Sequence, residues 1–129
     1  MTLVSFDRKA ALIVVPVTIK RGVEIWEYQF AVDTGATISL IDTTVMAALG
    51  YTEADSLRTT HTITASKTET VYEYSLDNIM AIGLIRRNFK VISRELPMGL
   101  GIDGLLGLNF FKNKELSIDF KLSEIQLKN

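Results

Sequence analysis

The sequence has no cysteine, and its only histidine is His61. Without cysteine, the chain cannot form disulfide bonds, a thiolate nucleophile or a thiolate metal site. A single histidine also excludes a zinc site built on two histidines, and no Gly-x-Ser-x-Gly motif accompanies His61 to suggest a serine triad. No metal site is therefore expected. The lack of cysteine fits a reducing compartment, so the expected location is cytoplasmic.

The chain also lacks an excess of charge of either sign and a long hydrophobic run. Its 14 basic and 15 acidic residues give a net charge of −1, which offers no electrostatic reason to bind nucleic acid or an anionic membrane. The nearest candidate for a targeting segment, residues 10–15, is too short to span a membrane and runs into Pro16. We interpret this segment as a buried strand, and neither nucleic acid nor membrane is an expected partner.

The remaining composition is typical of one folded domain. Hydrophobic residues make up 47% and charged residues 22% of the chain, which argues against disorder. A length of 129 residues suits a single domain covering residues 1–129. Runs rich in Val, Thr and Tyr predict a mostly β fold, with strands at residues 11–19, 25–32, 39–41, 59–65, 68–74, 79–82, 88–92, 115–120 and 124–127.

Short helices are predicted at two places. Asp42 is a typical N-cap residue, so a brief helix is expected from Thr43 to Leu49, with Gly50 ending it. A second short helix is expected to start at Leu108, where an apolar run follows a glycine. The sequence therefore predicts strands with one or two short helices between them.

The most informative stretch is the Asp-Thr-Gly sequence at residues 33–35, which directly follows the apolar run at residues 25–32. An aspartate at this point lies where a strand turns sharply, and the residues after it leave its carboxylate uncrowded. The tripeptide alone is a weak signal, since Asp and Gly are also common in ordinary turns. It gains weight from the Leu-Leu-Gly sequence at residues 105–107, which precedes an apolar helix, and from a polar hairpin between the two motifs.

In this order, the motifs resemble those of the retropepsin-like aspartic proteases, and in particular the bacterial single-domain members of that group. The matching segments lie from Val14 onward and are AVDTGATISLI at residues 31–41, THTITASKTETVYEY at 60–74, GIDGLLGLNFF at 101–111 and ELSIDF at 115–120. The resemblance implies a mostly β, single-domain closed barrel, the acid protease fold, with one or two short helices, that forms a homodimer. It also implies an aspartic endopeptidase acting on peptide or protein substrates.

The resemblance implies a role for each motif. Each protomer contributes one Asp33, and the two carboxylates form a dyad that shares a proton and activates water for peptide hydrolysis, as in aspartic proteases generally. No metal or cofactor is needed, because the dyad and its water carry the chemistry. The hairpin at about residues 59–74 forms a flap over an extended peptide. The other implied positions are the active-site loop residues Thr34, Gly35 and Ala36, the flap-tip residues Ala65, Ser66 and Lys67, and the residues Leu105, Leu106 and Gly107 that support the loop from below.

Other interpretations stay open at this point. The main alternative is a catalytically silent retropepsin-like module that serves for dimerisation or peptide binding. A second is a small monomeric β-barrel that binds a ligand. A Gly-x-Gly-x-x-Gly pattern at residues 99–104 fits a dinucleotide-binding loop, but no βαβ unit is predicted around it. The enzyme is favoured over a scaffold, because a scaffold has no evident need for an acid that is costly to bring near its symmetry mate.

Overall fold

The computed structural model describes residues 2–63 and 68–129. Within these residues the chain forms ten strands and two short α-helices. The strands are β1 (Leu3–Ser5), β2 (Val14–Arg21), β3 (Glu24–Val32), β4 (Ser39–Asp42), β5 (Arg58–Ile63), β6 (Thr68–Ala81), β7 (Leu84–Arg94), β8 (Gly104–Leu106), β9 (Glu115–Asp119) and β10 (Glu124–Lys128). The helices are α1 (Thr43–Ala48) and α2 (Leu108–Phe111), with a single 3-10 turn at Glu53–Asp55. No helix in the described ranges is long and apolar enough to cross a membrane.

Six of the strands close into a barrel in the order β2-β3-β8-β4-β7-β6, and β2 pairs with β6 to complete the circle. The pairs β3–β8 and β4–β7 are parallel, whereas the other neighbours in the circle are antiparallel. Closure leaves the circle without unpaired edges. Strand β5 is added outside the circle by pairing with β6. The mostly β, closed-barrel fold with two short helices that the sequence predicted is confirmed.

The chain ends form a separate three-stranded sheet in the order β1-β10-β9. Val4 of β1 pairs with Ile125 of β10, and Ile125 pairs with Ile118 of β9. Ile125 is fully buried, and Val4 and Ile118 pack against the same core cluster. One face of this terminal sheet therefore packs on the body of the protein.

The barrel core follows from the period-two alternation of its strands. In β2, Val15, Val17 and Ile19 are fully buried, whereas the residues between them are more exposed. Because successive side chains of a strand point to opposite faces, this alternation places one face of β2 in the barrel interior. Phe30 and Phe110 are also fully buried and are the largest of the fully buried side chains.

The structure corrects the prediction of two strands at residues 68–74 and 79–82, because these residues belong to the single strand β6. Asp77 and Asn78 lie in its middle and have low β-propensity, which explains why the sequence suggested a break. Pairing with β7 on both sides of Asp77 keeps the strand continuous. Tertiary pairing overrides local preference at this place.

The strand predicted at residues 88–92 is likewise only the centre of β7, which begins directly after a tight turn. Ile82 and Gly83 form this turn, and their φ angles are 52° and 75°. Two residues in the left-handed conformation match the twist of the flanking strands in a two-residue hairpin. Isoleucine is rare in that conformation, so the sequence did not predict the turn.

Helix α1 begins and ends close to the predicted positions. The carboxylate of Asp42 accepts a hydrogen bond from the N–H of Thr44 at 3.1 Å, as an N-cap does. The other oxygen of the same carboxylate accepts from the N–H of Leu96 at 2.9 Å. Asp42 therefore ties the helix start to the loop that follows β7.

Candidate active site

Asp33 lies directly after β3, where the chain leaves the barrel in a sharp turn. Its N–H donates to the carbonyl of Leu106 in β8 at 2.9 Å, and its carbonyl accepts from the N–H of Ala36 at 3.2 Å. The first bond extends the parallel β3–β8 pairing by one residue, and the second closes the turn. Asp33 is half-buried, whereas the two residues after it are exposed. The carboxylate is thus carried by a fixed backbone and remains accessible.

A backbone donor holds the carboxylate of Asp33. The N–H of Gly35 donates to its Oδ1 at 3.0 Å, which is the pattern of an Asx turn. A Cβ atom at Gly35 would lie 3.2 Å from the same oxygen. A larger residue would therefore press on the carboxylate, so the glycine of the motif leaves room for the acid as well as making the turn.

The Leu-Leu-Gly motif lies in contact with this turn. Leu106 is fully buried, and the N–H of Leu108 donates to the carbonyl of Ala36 at 2.8 Å. A Cβ atom at Gly107 would lie 2.8 Å from the carbonyl oxygen of Ala36 and 2.8 Å from the carbonyl carbon of Ile38. Because only glycine leaves room for this backbone contact, the structure brings the two sequence motifs together.

Ser39 and Asn109 form a support for this turn that the sequence analysis missed. Oδ1 of Asn109 accepts from both the N–H and the Oγ of Ser39 at 2.8 Å, and Ser39 Oγ accepts from the N–H of Gly107 at 2.9 Å. Nδ2 of Asn109 donates to the carbonyl of Lys90 at 2.8 Å. The one signal in the sequence was a polar residue, Ser39, at the start of an apolar run, and this serine is buried in the structure. Asn109 could not be identified as its partner from the sequence, because the two residues are far apart in the chain.

A cavity of about 900 Å³ is lined by residues of β4, β6, β7 and β8 and of the loop after β7, and Asp33 is not among them. Leu40 and Leu105 line it and are neighbours in the β4–β8 pairing, and Leu105 also pairs with Ala31. Since cross-strand neighbours share a face, these residues place the cavity on the face of Ala31, two residues before Asp33. The other lining residues include Thr68, Thr70, Val71 and Tyr72 of β6 and, at the end of β7 and beyond, Ser93, Arg94, Glu95, Leu96, Pro97, Met98 and Leu100.

The hairpin predicted at residues 59–74 is formed by β5 and β6. Its pairing runs from Arg58 opposite Glu73 to Ile63 opposite Thr68. Residues of β6 line the same cavity as Leu40 and Leu105, so one arm of the hairpin contributes to the cavity wall together with β4 and β8. The predicted tip residues Ala65, Ser66 and Lys67 lie outside the described residues.

Asp103 connects β3 and β4 at the start of β8. Its Oδ2 accepts from the N–H of Gln29 at 2.9 Å, its N–H donates to the carbonyl of Gln29 at 2.8 Å, and its carbonyl accepts from the N–H of Asp42 at 2.9 Å. Burial, and in second place the charge of Asp103, raises the pKa of the Tyr28 phenol. Through its hydrogen bonds to Gln29 and Asp42, Asp103 therefore joins β3 to β4.

The Gly-x-Gly-x-x-Gly pattern at residues 99–104 belongs to a loop and to the start of β8, not to a strand–loop–helix unit. A Cβ atom at Gly104 would lie 2.5 Å from both the Leu40 carbonyl oxygen and the Phe30 ring, so this glycine is required by packing. The geometry does not support a dinucleotide site. Among the residues whose side chains the structure describes, which leaves out residues 60–67 and 69, no group of three or more His, Asp or Glu side chains lies together as a metal site requires.

A closed barrel whose Asp-Thr-Gly turn rests on a Leu-Leu-Gly strand defines an acid protease fold of the retropepsin type. The same fold is found in the crystal structure of a retropepsin-like aspartic protease from Rickettsia conorii, with a TM-score of 0.74 over 97% of this chain and 87% of that chain at 18% identity. The sequence model of the family described as Aspartyl protease matches residues 15–110. The chain belongs to this aspartyl protease family. No curated protein matches the chain.

Proposed function

We propose that this protein is an aspartic endopeptidase that works as a homodimer, with Asp33 from each protomer forming a carboxylate dyad. The observation that carries this proposal is the placement of Asp33, a half-buried residue whose carboxylate accepts from the N–H of Gly35 and whose own N–H donates to Leu106 of the Leu-Leu-Gly strand. Membership in the aspartyl protease family and the retropepsin-like fold support a protease function in general. The residue roles below belong to the proposal.

The number of Asp-Thr-Gly motifs in the chain supports a dimer. The chain has one Asp-Thr-Gly sequence, which supplies half of a dyad. A two-fold axis brings the same residue of two protomers face to face, so a homodimer completes the site. Thr34 and Gly35 in the turn are exposed, and the nearby Leu108 is half-exposed. These residues offer a surface on which a second protomer can pack. We assign Thr34 to hydrogen bonds across this interface, and Ala36 and residues 105–107 to support of the loop.

The dyad performs acid–base chemistry on a water molecule. Two carboxylates about 3 Å apart do not both ionise readily, so they share one proton. The ionised carboxylate takes a proton from the water as its oxygen attacks the scissile carbonyl carbon, while the protonated one donates to the carbonyl oxygen. Collapse of the tetrahedral intermediate breaks the C–N bond, and the leaving nitrogen takes up a proton from the dyad. Neither metal nor cofactor takes part.

The β5–β6 hairpin, with a tip at residues 65–67, is assigned as a flap. Closing over an extended peptide would exclude bulk water from the dyad. The apolar side chains of Leu40 and Leu105 line the cavity together with residues of the hairpin and fit contact with apolar substrate side chains.

The test is cleavage of a diverse peptide library by the protein and its Asp33→Ala variant between about pH 4 and pH 7.5, with new termini identified by mass spectrometry. Cleavage by the wild type alone is the expected result and would also show the sequence preference. Equal cleavage by both proteins would show that the observed activity does not depend on Asp33 and comes from a contaminating peptidase. An intact dimer without cleavage would favour the silent dimerisation or peptide-binding module.

A further inference from the structure

Glu73 is the one acidic or basic residue that is buried among residues described with their side chains, and its side chain is only 3% exposed. It lies on β6 and faces two cations on the neighbouring strands. Nε of Arg58 on β5 donates to its Oε2, and Nζ of Lys90 on β7 lies 3.6 Å from its Oε1. A buried carboxylate is costly unless it is paired and hydrogen-bonded. The three side chains form one unit, which we call the Glu73 cluster.

The Glu73 cluster lies where the hairpin leaves the barrel. The pairing of β6 with β7 ends at Tyr72 opposite Ser93, so beyond this point β6 pairs with β5 alone within the described residues. At the other arm, Arg58 is the first residue of β5, and the N–H of Leu57 donates to the carbonyl of Glu73 at 2.7 Å. The cluster therefore joins both arms of the hairpin to the barrel wall at the root of the hairpin.

The same root adjoins the cavity and the support of the Asp33 turn. Tyr72, next to Glu73, lines the cavity. The side chain of Lys90 belongs to the Glu73 cluster, and the carbonyl of Lys90 accepts the hydrogen bond from Asn109 described above. Because Thr68, Thr70, Val71 and Tyr72 of β6 line the cavity, a change in the angle of the hairpin at this root would change the width of the cavity.

The two cations can be substituted one at a time. The side chains of Arg58 and Lys90 are 67% and 52% exposed, so either can be replaced without opening the core, and buried Glu73 then keeps the other cation as a partner. The geometric effect of the two ion pairs is to fix β5, β6 and β7 relative to one another at the root of the hairpin.

We infer that the Glu73 cluster is a positioning device, which holds the hairpin at the angle over the cavity that peptide binding requires. The inference rests on the proposed function in one respect, namely that the hairpin closes on a peptide substrate. Arg58, Glu73 and Lys90 do not touch the reacting atoms in this proposal. They act through the position of β5 and of the first residues of β6.

The test compares Arg58→Gln and Lys90→Gln, which change exposed side chains, with Glu73→Gln, which removes the buried charge. Arg58→Lys keeps the charge at that position, and Arg87→Gln is the matched control, since Arg87 is an exposed cation on β7 outside the cluster. Hydrogen exchange is measured in peptides from β5 and the start of β6, and in β2 and β3 as the barrel reference. Urea unfolding, KM and kcat are measured on the same proteins.

In Arg58→Gln and Lys90→Gln we expect exchange in the hairpin to become at least about threefold faster, because the buried carboxylate loses one of its two partners. Exchange in β2 and β3 should accelerate less than this, and by no more than any fall in the urea midpoint accounts for. Misplacement of the hairpin should raise KM more than it lowers kcat, with kcat/KM falling about tenfold. Arg58→Lys should recover part of this loss, and Arg87→Gln should behave as the wild type.

Equal acceleration of exchange in the hairpin and the barrel would mean a merely structural role and would overturn the inference. Unchanged exchange in the hairpin would overturn it as well. If Glu73→Gln does not fold, the two exposed variants still decide the question. If the wild type cleaves no peptide, the proposed function fails, whereas the exchange data still show whether the cluster positions the hairpin.

Discussion

At the scale of single residues, Gly107 of the Leu-Leu-Gly motif lies against the chain segment that follows the Asp-Thr-Gly motif. A methyl group there would meet the backbone of Ala36 and Ile38 at 2.8 Å, and neither chain segment is a flexible side chain that can move aside. Overpacking of this kind must shift the backbone. Because Ala36 belongs to the turn after Asp33, the shift would be transmitted to the candidate catalytic acid.

We predict that Gly107→Ala lowers the free energy of unfolding by about 1–3 kcal/mol. It should also reduce peptidase activity by more than the loss of folded protein explains. Gly22→Ala is the comparison, because Gly22 has a φ of 61° but nothing within 4 Å of a Cβ atom. That variant should lose stability through backbone strain and keep its activity per folded molecule. Urea unfolding and kcat/KM give both quantities, and equal activity of the two variants would contradict the role of Gly107.

The hydrogen bonds to the Asp42 carboxylate lead to a prediction about how the stability of the protein changes at acidic pH. Burial tends to raise the pKa of its carboxyl, but hydrogen bonds from Leu96 and Thr44 outweigh this effect and hold the pKa below its ordinary value. A carboxyl with a lowered pKa in the folded state stabilises the fold at neutral pH, and this contribution is lost as the pH falls below about 4.

Asp42→Asn keeps an N-cap residue but removes the titration. We therefore predict that the variant is less stable than the wild type at pH 7, and that the difference shrinks towards about pH 3, where the carboxyl of the unfolded wild-type chain is already protonated. Urea unfolding at several pH values measures this difference. A constant difference across the acid range would show that the lowered pKa of Asp42 does not contribute to stability.

At the scale of elements, Asn109 at the start of α2 joins β4 and β7 beneath the Asp33 turn. It accepts two hydrogen bonds from Ser39 and donates one to the carbonyl of Lys90. Since Ser39 is fully buried, removal of the amide would leave its N–H without this partner. An unsatisfied buried donor costs about 1–3 kcal/mol.

Asn109→Ala should accordingly lower the free energy of unfolding by about 2 kcal/mol or more, since several bonds are lost together. Ser39→Ala removes only the hydroxyl and leaves the bond between its N–H and Asn109 in place, so it should cost less. Thermal and urea unfolding of the two variants show which of them loses more free energy of unfolding. An Asn109→Ala variant as stable as the wild type would show that this connection is not needed.

The same elements show what sequence patterns can and cannot predict. The apolar run at residues 11–19 predicted a buried strand, which the structure shows as β2, and the Asp-Thr-Gly and Leu-Leu-Gly motifs indicated the family and the fold. The continuity of β6 through Asp77 could not be predicted, because it depends on pairing with β7. The bonds between Ser39 and Asn109 depend on contacts between distant segments and have no local signature.

At the scale of the whole molecule, the proposed dyad depends on a second copy of the chain. Two neighbouring carboxylates disfavour association at a pH where both would ionise. We therefore predict that Asp33→Asn lowers the dissociation constant of the dimer at pH 7, by about tenfold if the mutual effect equals one pKa unit. Sedimentation over a range of concentrations measures this change. Asp77→Asn, outside the candidate site, is the control, and equal dissociation constants for all three proteins would show that the two Asp33 carboxylates are not adjacent.

The specific activity of the wild-type protein as a function of its concentration tests the proposed homodimeric dyad most directly. Using a peptide that the library assay identifies, we expect activity per chain to follow the fraction of dimer measured by sedimentation. Asp33→Asn should be inactive at every concentration, although it still forms dimers. Undiminished activity at concentrations where the chain is monomeric, or cleavage by Asp33→Asn, would contradict a site made of one Asp33 from each protomer.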